Sequence, residues 1–174
     1  MILFFFGPPG AGKGTQAKFV SKELNIVHLS TGDVLRHQLK SKSKLSLELK
    51  NIIKKGQLVS DEILNQIVSE RITKRDCKKG FILDGYPRTL SQTYFITDYF
   101  FKNKLSFDHF FEFNIGFDSM IKRIKNRSLF EKRNDDSEKT IKTRFDKYLH
   151  ETKPVLKYLK KQYSSIYHII DGNQ

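Results

Sequence analysis

The chain has 174 residues, enough for one domain with a substantial core, and its 32 Lys and Arg against 19 Asp and Glu leave a formal charge of +13. Cys77 stands alone, which excludes an internal disulfide, no Cys or His cluster has zinc spacing, and no apolar stretch approaches the ~18 residues of a membrane span. The basic residues are mostly Lys scattered among acidic ones, with no aromatic-interleaved basic module, so the charge reads as a solvated surface that also attracts small phosphorylated molecules rather than nucleic acid.

The apolar run Ile2 to Phe6 predicts a buried strand. Directly behind it, Gly7 to Thr15 reads G-P-P-G-A-G-K-G-T, the phosphate-loop pattern G-x-x-x-x-G-K-[ST] with Gly14 standing between Lys13 and the hydroxyl of Thr15. Glycines there let backbone N–H groups turn inward around an anion, and the following helix, predicted over Lys13 to Leu24, points its positive end at the same spot. Lys13 is placed to reach the outer phosphates of a nucleotide polyphosphate.

Further along, strands are predicted at Ile26 to Leu29, Phe81 to Asp84, His109 to Asn114 and Ile166 to Asp171, with amphipathic helices at Asp61 to Lys74 and Glu138 to Tyr163. Strands separated by helices imply crossover connections, hence a parallel sheet covered on both faces, with ligands at the carboxyl ends of its strands. Two polar stretches interrupt the alternation. Ser30 to Ser60 is Lys-rich and opens with Ser30-Thr31-Gly32-Asp33 as a helix start; Arg127 to Ser137 is a short charged loop whose Ser137 can cap the next helix. Asp76, Cys77, His28 and His109 show no partner pattern and read as structural.

Taken together, G-P-P-G-A-G-K-G-T-Q at Gly7 to Gln16, S-T-G-D-V-L-R at Ser30 to Arg36, G-Q-L-V-S-D at Gly56 to Asp61, G-F-I-L-D-G-Y-P-R-T-L-S-Q at Gly80 to Gln92, Arg123 to Arg127, R-N-D-D at Arg133 to Asp136, Arg144 and Asp171-Gly172 resemble the adenylate kinase family nearly from end to end. The resemblance implies a P-loop NTPase-like α/β fold with a parallel five-stranded sheet. Its core would take 1–29, 61–126 and 138–174, with a small helical AMP-binding subdomain over 30–60 and a short lid over 127–137 that lacks the inserted zinc-ribbon-like segment of long family members. It also implies reversible phosphoryl transfer from ATP to AMP giving two ADP, with Mg2+ as the metal; the lone cysteine, the lack of an apolar span and the scattered Lys lead to the expectation of a cytoplasmic monomer without nucleic-acid or membrane partners.

Such a transfer brings several negative charges together, and the work is positioning and electrostatic stabilisation. An acceptor monophosphate is already largely dianionic at neutral pH, its second pKa being about 6, so no general base is needed. What is needed is a set of cations, preferably Arg, whose planar fork binds phosphate oxygens in pairs.

By the resemblance, Lys13, Arg88, Arg133 and Arg144 stabilise the transferring group. Gly10, Ala11, Gly12, Lys13, Gly14, Thr15, Arg123, Arg127 and Gln174 hold ATP, Arg123 stacking on the donor base and Gln174 offering backbone to it where relatives continue into a final helix. AMP falls to Thr31, Arg36, Gln57, Leu58, Val59, Gly85, Tyr86, Pro87, Arg88 and Gln92, closed over by Arg133 and Arg144, with the Gln92 amide on the adenine edge. Asp84, a carboxylate ending an apolar strand beside the phosphates, is placed to hold the magnesium shell through water or to cap the next turn. Family members that accept uridylate or cytidylate carry Ala at Thr31 and Asn at Thr89, so UMP or CMP is the nearest alternative acceptor. A nucleotide-binding regulator is a further alternative, one that leaves Arg36, Arg88 and Gln92 without a task.

Overall fold

The computed structural model describes residues 1–38, 59–130 and 138–173, and of 34, 36–38, 125–130 and 138–139 the backbone alone. Five strands, β1 (Ile2–Phe6), β2 (Val27–Ser30), β3 (Phe81–Asp84), β4 (His109–Asn114) and β5 (Tyr167–Asp171), form one sheet in the order β2-β3-β1-β4-β5. Every neighbouring pair is parallel, with Phe5 opposite Asp84 and Ser30 opposite Asp84 at the carboxyl edge. The expected five-stranded parallel sheet is therefore present.

Alternation along β1 splits the core. Phe4 and Phe6 face one apolar cluster with Phe100, Phe110 and Tyr86, whereas Leu3 and Phe5 face a second with Ile82, Phe113 and Met120. Both faces being covered, the strands are apolar runs rather than amphipathic ones. Ring pairs such as Phe4–Phe110 at 5.1 Å and Phe100–Phe107 at 4.6 Å fill the first cluster.

Helices α1 (Lys13–Leu24), α2 (Thr31–Gln38), α3 (Asp61–Ile72), α4 (Leu90–Lys102), α5 (Phe117–Phe130), α6 (Glu138–Lys147) and α7 (Lys153–Gln162) are the described helices that flank the sheet. Their starts follow the sequence chemistry. Ser30 Oγ accepts from the Asp33 N–H at 3.2 Å, Ser60 Oγ from that of Ile63 at 3.5 Å and Thr89 Oγ1 from that of Gln92 at 3.1 Å, each satisfying an otherwise orphan donor of a first turn.

Several boundaries differ from the expected ones. β2 lies one residue later because Ser30 is both the last strand residue and the cap of α2. The helix at Asp61 ends at Ile72, and Arg75–Lys79 forms a separate 3₁₀ turn around buried Cys77, pinned by Arg71 to Asp76 at 2.6 Å. β5 begins at Tyr167 because Ser164–Ile166 is a 3₁₀ turn. The single helix expected over Glu138 to Tyr163 is broken by a π turn at Tyr148–Thr152, ahead of Pro154. Pro154 has no N–H to give the carbonyl four residues back, and a one-residue bulge absorbs that gap. Helix α5 runs to Phe130, so the first residues of the expected loop at Arg127 are helical; 131–137, with Ser137, lie outside the described residues.

Candidate active site

The loop after β1 turns through left-handed glycines, Gly10 at φ 76° and Gly12 at φ 87°, conformations a side chain would strain. That turn aims the N-terminus of α1 at the carboxyl edge of the sheet, where the α-helix dipole and unpaired N–H groups favour an anion. Lys13 heads α1 and folds back over the loop, donating from Nζ to the Gly7 carbonyl at 2.8 Å and the Pro8 carbonyl at 2.9 Å.

One cleft of about 1380 Å³ runs from this loop across the strand ends. Its lining brings together Gly10, Ala11, Gly12, Lys13, Gly14, Thr15, Thr31, Val59, Asp84, Gly85, Pro87, Arg88, Arg123 and Arg144. Four cations from four separate elements thus share one space: Lys13 on α1, Arg88 after β3, Arg123 on α5 and Arg144 on α6. The Arg123 guanidinium lies 3.9 Å from where a Cβ on Gly12 would stand, beside the phosphate loop.

Arg88 is held at three atoms. Its Nε donates to the Gly85 carbonyl at 2.7 Å, its backbone N–H donates to Gln92 Oε1 at 2.7 Å, and its carbonyl accepts from Thr152 Oγ1 at 3.1 Å. The π turn carries Thr152 into that last contact. Gly85, at φ 80°, has Arg88 Nη2 2.8 Å and Thr31 Oγ1 3.2 Å from the position a Cβ would take, so only glycine leaves the guanidinium its place. The Tyr86–Pro87 bond in this segment is cis.

Two sequence-predicted residues have fully buried side chains. The Tyr86 side chain is fully buried in the core, its hydroxyl donating to Asn65 Oδ1 at 2.6 Å, and burial raises its pKa; it does not line the cleft. Gln92 is likewise fully buried, with both amide ends already hydrogen-bonded inside the protein, and it does not line the cleft. One N–H and one oxygen lone pair of that amide remain for any further partner. Gln57, Leu58, Arg133 and Gln174 lie outside the described residues; Arg36 on α2 and Arg127 on α5 are placed by backbone only.

No motif marks His28, yet its Nε2 lies 3.1 Å from Asp84 Oδ2 and both line the cleft. An ionised carboxylate only accepts, so the imidazole donates and fixes the Asp84 rotamer. Lys147, Tyr148 and Thr152 also line the cleft, with no motif around them to announce it. Burial, with the nearby Glu112 charge, pushes the Tyr148 phenol up to about 12.

Magnesium takes hard oxygen ligands and retains several waters, so it needs only one or two carboxylates beside phosphate oxygens. Asp84 fits that demand. A Cβ on Gly14 would stand 3.4 Å from Asp84 Oδ2, so the bare glycine keeps the approach to this carboxylate open beside Lys13 and Thr15. Among the described residues no group of three His, Cys, Asp or Glu gathers into an all-protein cage. Among them, too, no helix is long and apolar enough to cross a membrane.

A family model described as adenylate kinase matches residues 5–164. Among curated relatives, the adenylate kinase of Thermosipho melanesiensis is 38% identical over 99% of this chain and 92% of its own length. That of Agrobacterium fabrum is 42% identical over 93% of this chain and 86% of its own, and that of Methanocella arvoryzae 37% over 93% and 88%.

Proposed function

The chain belongs to the adenylate kinase family, whose reaction moves a phosphoryl group from ATP to AMP, and on that premise we propose a site-by-site account of how this chain performs it. The observation that carries the account is the convergence of Lys13, Arg88, Arg123 and Arg144 on one cleft beside a phosphate loop. Lys13 and the α1 N-terminus take the outer phosphates of ATP; Arg88 bridges toward the acceptor phosphate; Arg144, joined by Arg133, covers the transferring group. Arg123 and Arg127 hold the donor side, with Gln174 at its base. Thr31, Arg36, Gln57, Leu58, Val59 and Gly85 hold AMP, and the one N–H and one oxygen lone pair left on the buried Gln92 amide meet its base.

Asp84 would hold magnesium through water, and the ion would supply charge neutralisation to the donor phosphates. His28 orients that carboxylate. Replacing His28 by Leu is expected to raise the magnesium concentration for half-maximal nucleotide binding about tenfold, while His28→Gln, which keeps a donor, loses less. Calorimetric titration of magnesium with a non-hydrolysable ATP analogue reads this without turnover, and equal behaviour of the two variants would remove His28 from the role.

The acceptor subdomain over 30–60, the lid over 127–137, a cytoplasmic location and a monomeric state complete the proposal. Nucleic acid and membrane have no part in it. ADP formation from ATP should require AMP, fall several-fold or more with UMP, CMP or GMP, and collapse when magnesium is chelated. ATP hydrolysis at the same rate with and without AMP would instead identify a nucleotide-binding regulator.

A further inference from the structure

We infer that Asp61 is a specificity-determining positioning residue, locking the Gln92 amide in the one orientation that serves adenine and rejects guanine. The inference rests on the reading that Gln92 faces the acceptor base.

Asp61 opens α3, at the chain's return from the acceptor segment, and its two carboxylate oxygens are both committed to α4. Oδ1 accepts from Gln92 Nε2 at 2.7 Å, and Oδ2 accepts from the Thr89 hydroxyl at 2.8 Å. Thr89 Oγ1 in turn accepts from the Gln92 backbone N–H at 3.1 Å, closing a ring of hydrogen bonds around Gln92. On the other side the Arg88 N–H donates to Gln92 Oε1 at 2.7 Å.

These neighbours leave no ambiguity about the amide ends. A carboxylate can only accept and a backbone N–H can only donate, so Nε2 must face Asp61 and Oε1 must face Arg88. Rotating the amide by half a turn would set oxygen against carboxylate and NH₂ against N–H, breaking a charge-assisted bond and a neutral one in a fully buried place. The order of the remaining donor and acceptor is fixed with them.

That order matters because the purines are opposites on this edge. Adenine offers an acceptor at N1 and a donor at the 6-amino group, whereas guanine offers a donor at N1 and an acceptor at O6. A freely rotating glutamine serves either by turning over. A locked one serves one only, and the wrong base then leaves buried polar groups unpaired.

The test measures kcat/KM for AMP and GMP in the unaltered protein and in Asp61→Asn, Asp61→Ala and Gln92→Met, with melting temperatures for each. The AMP:GMP ratio is expected to fall at least about tenfold in Asp61→Ala and by less in Asp61→Asn, whose amide oxygen can still accept from Gln92. A merely structural role would lower both values together and leave the ratio standing. If Gln92→Met abolishes the preference while folded Asp61 variants retain it, the lock is refuted and the base contact survives. If Gln92→Met leaves the ratio intact, the base contact fails and the inference with it. Should the Asp61 variants not fold, hydrogen exchange of the Gln92 side-chain amide in the unaltered protein decides: one slowly exchanging Nε2 proton is expected, and exchange of both at the rate of a free amide overturns the lock.

Discussion

Lys13→Ala is expected to lower turnover about 10³-fold, equivalent to roughly 4 kcal/mol of lost transition-state stabilisation. The lysine stands at the first residue of α1, where alanine is a good helix former, so the helix itself should persist. What disappears is an ammonium held over the loop by the Gly7 and Pro8 carbonyls, in a cleft that already gathers Arg88, Arg123 and Arg144. Neighbouring cations cannot take its place, because each is tethered to a different element. A phosphoryl transfer asks for charge where charge develops, and a cation that binds only the ground state would alter KM alone. The informative measurement is therefore kcat at saturating ATP and AMP, beside the melting temperature. Turnover within about threefold of the unaltered protein, with an intact melting transition, would remove Lys13 from the transition state.

Much of this architecture is legible in the residues because its signals are local. The phosphate loop announces itself through Gly10, Gly12 and Lys13 directly after an apolar run, and β1, β3 and β4 fall where Ile2–Phe6, Phe81–Asp84 and His109–Asn114 predict them. The short-range cap at Ser30 is equally readable. The π turn is not, since one extra residue hardly disturbs a helical period; Pro154 is the only local cue to it. Contacts between distant residues are the harder loss. His28 reaches Asp84 across 56 positions and Gln92 reaches Asp61 across 31, and nothing in either segment advertises a partner on another strand or helix. The direction of the Gln92 amide, and the burial of the Tyr86 side chain, follow from how α3 and α4 pack rather than from any motif. Composition therefore identifies the cations, while topology decides which of them can meet.

Arg88→Lys is expected to lower kcat about 10²-fold although the charge is kept, and Arg88→Ala to lower it further, to about 10³-fold. The guanidinium is aimed before any nucleotide arrives: Nε is tied to the Gly85 carbonyl at 2.7 Å, and the backbone is clamped by Gln92 on its N–H side and Thr152 on its carbonyl side. With Nε anchored, the plane of the fork is set, which is what pairing with two phosphate oxygens at once requires. A lysine at this position presents a point charge on a flexible stem and has no Nε to anchor. Its ammonium could approach the acceptor phosphate but would lose part of the ordering that makes the interaction stronger at the transition state than before it. The loss should accordingly appear in kcat more than in KM for AMP, and the melting temperature should change little, since the three backbone-directed bonds involve only one atom of the side chain. If lysine restores turnover fully, charge alone suffices at this position and the anchored fork has no part in the reaction.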